Sequence, residues 1–236
     1  MEVRLDLHIH SQASPDGRMS LREIVEAAKR AGLQGAAVCD HDRVLAEAPE
    51  FPDFLLIPGT EVSTDRGHLL GLFVRSPVAE KTLPEAAEAI RAQGGIAVLA
   101  HPFEHRREAA ELDPVAPCLD GAEVWNSRAE RKNRRANVMA AAFAESHGLR
   151  PFGGSDAHLP REIGHGVTCV EVPELTSEAV KAALLAGTAR VSGCRSRAID
   201  TARSQLTRRR KQKAGLLSYG NWVLFAGKCL LRDLRP

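Results

Sequence analysis

Apolar residues recur along the chain in two rhythms, and their alternation predicts the architecture. Short β-like runs fall at 3–8, 35–40, 54–61, 67–73, 95–100, 121–125, 151–155, 167–172 and 188–192. The run from Gly95 to Ala100 is apolar on both faces, as a buried parallel strand should be. Between the runs lie patterns of helical period. The clearest covers 20–31: Leu21, Ile24, Val25 and Ala28 share a face, Ser20 and Glu23 suit a capping box, and Gly32 stops the helix. Further helices are predicted over 83–93, with Pro84 near the start and Gly94 past the end, and over 128–147 and 176–186. Such alternation implies an α/β fold with a mostly parallel sheet, closed into a barrel or left open.

Composition sharpens this picture at the C-terminus. The 236 residues are 44% hydrophobic and only 4% aromatic, a balance that suits α/β layers rather than an aromatic-rich sandwich. The net charge of +2 hides an asymmetry. Residues 1–189 carry 20 Lys/Arg against 28 Asp/Glu, a net −8, and residues 190–236 carry 12 against 2, a net +10. A main unit over 1–194 and a C-terminal extension over 195–236 are therefore expected. In that extension 195–213 is basic, a linker or surface helix, and 214–227 is uncharged with Trp222 and Tyr219. A basic stretch beside a short apolar one suits contact with an anionic membrane surface or nucleic acid. The alternative is that 214–231 packs on the main unit.

Five scattered cysteines with no CxxC pair argue against a disulfide framework or an all-cysteine zinc site. The chain opens on Val3-Arg4-Leu5-Asp6-Leu7 without the pattern of a signal peptide, so a cytoplasmic protein, peripheral at the membrane if the tail anchors, is expected.

The chemistry lies in where the histidines fall. His8 and His10 end the first run, and side chains two apart on a strand share a face. Asp16 follows in the turn Ser14-Pro15-Asp16-Gly17; the second run ends in Asp40-His41-Asp42 and the third in Gly59-Thr60-Glu61. His68 starts the next run, His101 follows the buried one, and Asp156-Ala157-His158 follows 151–155. In a parallel barrel such ends converge on one rim, where active sites are built. A single histidine at a strand end is ordinarily structural. Many strand ends carrying His, Asp or Glu do not arise from packing, because unpaired buried charges are costly. Imidazoles mixed with carboxylates point to divalent metal ions.

Taken in order, Leu7-His8-Ile9-His10-Ser11, Ser14-Pro15-Asp16-Gly17, Asp40-His41-Asp42, Gly59-Thr60-Glu61-Val62-Ser63, Gly67-His68-Leu69-Leu70-Gly71-Leu72, Ala100-His101-Pro102 and Gly154-Ser155-Asp156-Ala157-His158 resemble the PHP family, named for polymerase and histidinol phosphatase. The resemblance covers about residues 1–195 and implies a distorted (β/α)7 TIM-like barrel that hydrolyses phosphoesters with a trinuclear metal cluster. By position it implies one metal at His8, His10, Glu61 and Asp156. Glu61 would bridge to a second, also held by His68 and His101, and a third would take Asp16, His41 and His158. Some relatives have histidine where Asp16 stands, so that site is expected to bind more weakly or to prefer a harder ion such as Mn²⁺. Two or three ions of Mn, Fe or Zn are expected. Asp40 is read as an acceptor orienting His41. Asn126 and Arg128 are read as candidate phosphate contacts, with a solvated helix face as the alternative for Arg128, and Cys39 as a small core residue or a redox-sensitive neighbour. His105, His147 and His165 match no ligand position, and His147 suits a helix C-terminus before Gly148.

The implied reaction is attack of a metal-bridging hydroxide on a phosphate monoester of a nucleotide or short oligonucleotide, with Glu61, Asp156 and His158 central. The alternatives are a histidinol-phosphatase-like activity on a small phosphorylated metabolite, and a catalytically weak, metal-stabilised module docked by its basic tail. An amidohydrolase also uses His-x-His, but no lysine falls at a strand end here. No obligate protein partner is evident.

Overall fold

The computed structural model describes residues 1–105 and 108–234. Among them the chain forms β1 (Glu2–Ile9), α1 (Leu21–Arg30), β2 (Gly35–Val38), β3 (Leu55–Thr64), β4 (Gly67–Leu72), α2 (Leu83–Ala92), β5 (Ile96–Leu99), β6 (Gly121–Asn126), α3 (Ser127–Lys132), α4 (Ala136–Ser146), β7 (Arg150–Gly154), β8 (Gly166–Glu171), α5 (Ser177–Leu185), β9 (Arg190–Gly193), α6 (Ala198–Lys211) and α7 (Leu216–Asp233). All nine predicted strands form. α1 begins at the expected capping box, with both Ser20–Glu23 hydrogen bonds made, and ends before Gly32 at φ +74°. The single helix predicted over 128–147 is instead two. Asn133 is extended, its Oδ1 accepts from Arg135 N at 3.1 Å and its Nδ2 donates to Phe103 O at 2.9 Å, so local side-chain bonding outcompetes helix continuation.

The sheet runs β7-β6-β5-β4-β3-β2-β1-β8-β9. It is mixed rather than mostly parallel. The pairs β1–β2, β2–β3, β5–β6 and β6–β7 are parallel, and β3–β4, β4–β5, β1–β8 and β8–β9 are antiparallel. The reversal at β3–β4 follows from length. Only Asp65 and Arg66 separate the two strands, whereas a parallel crossover needs about a dozen residues. The sheet curls until β7 comes against β8 and the ends of β1 and β7 meet: Gly153 N donates to Thr168 Oγ1 of β8 at 2.8 Å, and His10 N, just past β1, donates to Ala157 O, just past β7, at 2.8 Å. The result is a nearly closed α/β barrel.

Apolar side chains fill both sides of this wall. Leu5, Leu7, Ile57, Leu70, Val98 and Phe152 pack together with Val180 and Leu184 of α5. Ile9, Val38 and Leu56 pack under Ile24, Val25 and Ala28 of α1, and α2 and α4 cover Val62, Leu69, Ala97 and Ala122. The step from Leu7 in one cluster to Ile9 in another marks a bulge, seen as a register shift between Asp6 and Ile9. Bulges re-aim side chains, and this one falls where β1 carries His8.

The basic stretch 195–213 contains α6, and the apolar stretch lies in α7. α6 docks on the barrel through Ser204, whose Oγ accepts from Arg128 Nη1, and through Asp200, which pairs with Arg161; its buried Ala198 and Ala202 face α7. Lys211 Nζ donates to the carbonyls of Gln12, Ser14 and Gly17 at 2.6–2.7 Å, which ties α6 to the loop after β1. α7 packs on α6 through Phe225, Ala226 and buried Cys229, and Trp222 Nε1 donates to Ala202 O at 2.7 Å. Leu216, Leu217, Val223, Leu224, Leu231 and Leu234 stay exposed. No helix among the described residues is long and apolar enough to cross a membrane.

Candidate metal centre

Glu61 stands at the centre of the barrel mouth. It lies within β3 rather than at its end, 1% exposed, and five imidazoles surround its carboxylate. His68 Nδ1 and His101 Nε2 approach Oε1 at 2.9 and 3.0 Å. His41 Nδ1, His10 Nε2 and His8 Nε2 approach Oε2 at 2.8, 3.4 and 3.6 Å. Two further carboxylates flank them. Asp156 Oδ1 lies 3.3 Å from His10 Nε2, and Asp16 reaches His158 Nε2 at 3.2 Å and His41 Nε2 at 3.7 Å. All nine residues expected as ligands are thus brought together.

The donor set fits metal ions. Eight of the nine residues fall into three overlapping groups whose ligand atoms lie within 4.8 Å of one another: His8, His10 and Asp156; His41, Glu61 and His68; and His10, Asp16, His41 and His158; His101 joins them through Glu61 Oε1. Glu61 Oε2 is buried and makes no well-directed hydrogen bond although His41 Nδ1 lies 2.8 Å away, and the Nε2 atoms of His8 and His10 face each other at 3.2 Å. Tetrahedral ligands at about 2.05 Å from one ion lie ~3.3 Å apart, close to these separations.

The electrostatics point the same way. Burial opposes the ionised form of Glu61, but the charges of His41 and His8 and the hydrogen bond from His101 outweigh it and hold the carboxyl well below its usual range. Burial, with His158 and His41 nearby, lowers His10 to about 3, which keeps the imidazole neutral and its lone pair free. His41 moves the other way, to about 11: burial lowers it, and Glu61 and Asp16 more than reverse that. Backbone strain also gathers here. Asp42, His101 and Asp156 have φ of 50°, 29° and 56°, a region costing non-glycine residues roughly 1–3 kcal/mol each, and typical of functional sites.

One supporting residue was absent from the sequence reading. Glu123 of β6 is buried; its Oε1 pairs with His8 Nδ1 at 3.0 Å, and its Oε2 accepts from His101 N and Asn126 Nδ2, both at 2.9 Å. It fixes the His8 ring so that Nε2 faces the cluster. The available signal was an acid inside an apolar strand. Glu104 is a second omission: its Oε2 lies 3.6 Å from His101 Nδ1, and its other oxygen pairs with Lys132.

Other expected roles are distributed differently. Asp40 does not hold the His41 ring; its carboxylate accepts from Ser11 N at 2.7 Å and Ser11 Oγ at 2.6 Å, which fixes the loop after β1. Asn126 caps α3, accepting from Arg128 N and Ala129 N. Arg128 is buried, donates from Nε and Nη2 to Glu162 at 3.1 and 2.8 Å, and donates from Nη1 to Ser204 Oγ at 3.0 Å. Both side chains brace the wall of the mouth, and neither belongs to the histidine cluster. Cys39 is fully buried and burial pushes its thiol pKa up, so it sits as a core residue. His147 ends α4 before Gly148, its Nδ1 3.0 Å from Phe143 O.

Family comparison agrees with this geometry. The PHP domain model matches residues 6–98, and the PHP-associated model matches 134–189. The chain belongs to the PHP family. A protein of Methanocaldococcus jannaschii is 31% identical over 142 residues, which cover 53% of this chain and 82% of the relative. A two-domain Bacteroides vulgatus protein, described as containing a PHP-like metal-dependent phosphoesterase, superposes with a TM-score of 0.64 at 19% identity, covering 88% of this chain and 70% of that one. The lesion-specific endonuclease of Pyrococcus furiosus superposes at 0.60 with 23% identity, covering 81% and 58%. At these identities the structures establish the shared fold.

Proposed function

We propose that this PHP-family phosphoesterase hydrolyses phosphate monoesters of nucleotides or short oligonucleotides. The observation that carries the reading is the Glu61 carboxylate ringed by five imidazoles and flanked by Asp16 and Asp156. His8, His10, Glu61 and Asp156 would hold one ion, Glu61, His68 and His101 a second, and Asp16, His41 and His158 a third. Bound divalent ions lower the pKa of water and neutralise charge on phosphate oxygens.

The chain's own residues prepare that chemistry. Glu123 fixes the His8 tautomer, and Ser14 Oγ lies 3.3 Å from His10 Nδ1, so both rings of the His-x-His pair turn Nε2 to the cluster. Glu162 Oε2 accepts from His158 N at 3.1 Å, and Arg128 holds Glu162 in turn, so the loop bearing Asp156 and His158 is braced from behind. Membership of the PHP family and the fold shared with an endonuclease support a nucleotide-bearing substrate. Turnover of a chromogenic phosphomonoester and of nucleoside monophosphates tests the reading. Activity should vanish on chelation and return with Mn²⁺; activity that survives exhaustive chelation refutes it.

A further inference from the structure

Charged side chains also gather away from the barrel mouth. A cleft of about 450 Å³ opens between α3, the link from β9 to α6, and α7. Arg131, Lys132, Arg134, Arg195 and Arg232 line it, with Ser196 beside them. Asp233 is the one acid in the lining, so five cations against one acid leave a formal +4.

That excess is only partly offset: Glu130 lies near enough to Arg134 and Arg195 to interact with both charges. Asp233 is committed to the start of α6, accepting from Ala198 N at 2.7 Å and Ile199 N at 2.9 Å. Lys132 pairs with Glu104, but among the described residues no carboxylate forms an ion pair with Arg131, Arg134, Arg195 or Arg232. Two donors at the cleft are also unsatisfied. Ser196 is 2% exposed and its Oγ has no hydrogen-bond partner, and the buried Arg131 Nε has none. A buried donor left unpaired costs about 1–3 kcal/mol, and like charges crowded together add to that. Burial above all holds the Arg131 pKa below its usual range, and Arg232 and Arg128 add to it while Cys229 and Asp233 oppose it.

The cleft shares a wall with the metal centre. Arg131 and Lys132 lie one turn of α3 beyond Arg128, and the Lys132–Glu104 pair ends 3.6 Å from His101 Nδ1. Ser196 N donates to Ser127 O at 3.1 Å, which fixes the lining to the start of α3.

We propose that this cleft is a second phosphate subsite, built with residues of the C-terminal extension, which holds a non-scissile phosphate of an oligonucleotide while another lies at the metal centre. It rests on the phosphoesterase reading above and adds a strand-positioning role for Arg131, Arg195, Ser196 and Arg232. Guanidinium forks with a hydroxyl match a tetrahedral oxyanion, and an unpaired cluster beside a phosphoesterase mouth suits a chain carrying several phosphates.

The test measures binding without turnover, so it stands apart from the reaction. A labelled single-stranded oligonucleotide is titrated by fluorescence anisotropy into the full chain in chelator, at several salt concentrations. Arg195→Gln/Arg232→Gln should weaken binding about tenfold and flatten the logarithmic salt dependence by about 0.7, one phosphate contact on a single strand. Ser196→Ala should weaken it in the same direction, and Arg22→Gln on α1 should not. Equal affinity and salt slope in wild type and the double variant would overturn the proposal. So would binding lost only toward mixed phosphatidylglycerol and phosphatidylcholine vesicles, which would assign the charge to a lipid surface. If the strand-binding loss appears but no phosphoester is hydrolysed, the proposed reaction fails and the subsite stands.

Discussion

Glu123→Gln removes no proposed metal ligand and changes one atom, so it isolates the support of the cluster. The carboxylate of Glu123 accepts three hydrogen bonds, with His8 Nδ1 at 3.0 Å and with His101 N and Asn126 Nδ2 at 2.9 Å. An amide of the same shape offers one acceptor oxygen where two were used. If the oxygen keeps His101 N and Asn126, the amide nitrogen faces His8 Nδ1, and the imidazole must switch tautomer and carry its proton at Nε2. If it turns to His8, the nitrogen meets the backbone N–H of His101. The first arrangement takes the Nε2 lone pair away from the cluster and the second sets a buried donor against a donor, each worth about 1–3 kcal/mol, or roughly a 5- to 150-fold loss in metal affinity. The assay is Mn²⁺ titration of chelator-stripped protein, followed by activity and by calorimetry, with thermal melting to confirm the fold. A Glu123→Gln protein that binds Mn²⁺ as tightly as wild type would refute this account of how His8 is oriented.

The ligands themselves should rank. Glu61→Gln should lose bound metal and turnover together, whereas Asp16→Ala should lower metal content by about one ion and Asp16→His should restore it, all read by elemental analysis. Arg128→Leu strands fully buried Glu162, and breaking such a pair costs about 3–5 kcal/mol, or roughly 6–20 °C in melting temperature for a chain of this size. Gly154→Ala should weaken metal binding without touching a ligand, because its Cβ would fall 2.4 Å from His8 Cβ.

Much of the site was legible because its chemistry is tied to strand ends. His8, His10, His41, His101, Asp156 and His158 all fall where an apolar run stops, and the fold brings those ends together. Glu61 was found from its motif, although it lies inside β3, where the antiparallel β3–β4 hairpin holds it opposite Leu70. The reversal at Asp65-Arg66 escaped the reading because strand periodicity carries no direction; only the length of the link does. Glu123 escaped because its role is set by a bulge between Glu123 and Trp125 that single-sequence pattern does not register. Asn126 and Arg128 were placed in the right region, but whether a side chain faces substrate or caps its own helix depends on partners distant in sequence, here Glu162 and Ser204. The tail was legible as a separate composition. That the tail packs was one of two open readings; the contacts that hold it were not legible, because Lys211 and Trp222 are held by backbone carbonyls, which leave no mark on the sequence pattern.

The central claim is that the Glu61 cluster is a multinuclear metal site, and calorimetric titration of Mn²⁺ into chelator-stripped protein tests it most directly. Wild type should bind two or three equivalents, and Glu61→Ala, which removes the carboxylate shared by five imidazoles, should abolish at least two of them. Absence of saturable binding in wild type, or an unchanged stoichiometry in Glu61→Ala, would contradict the account.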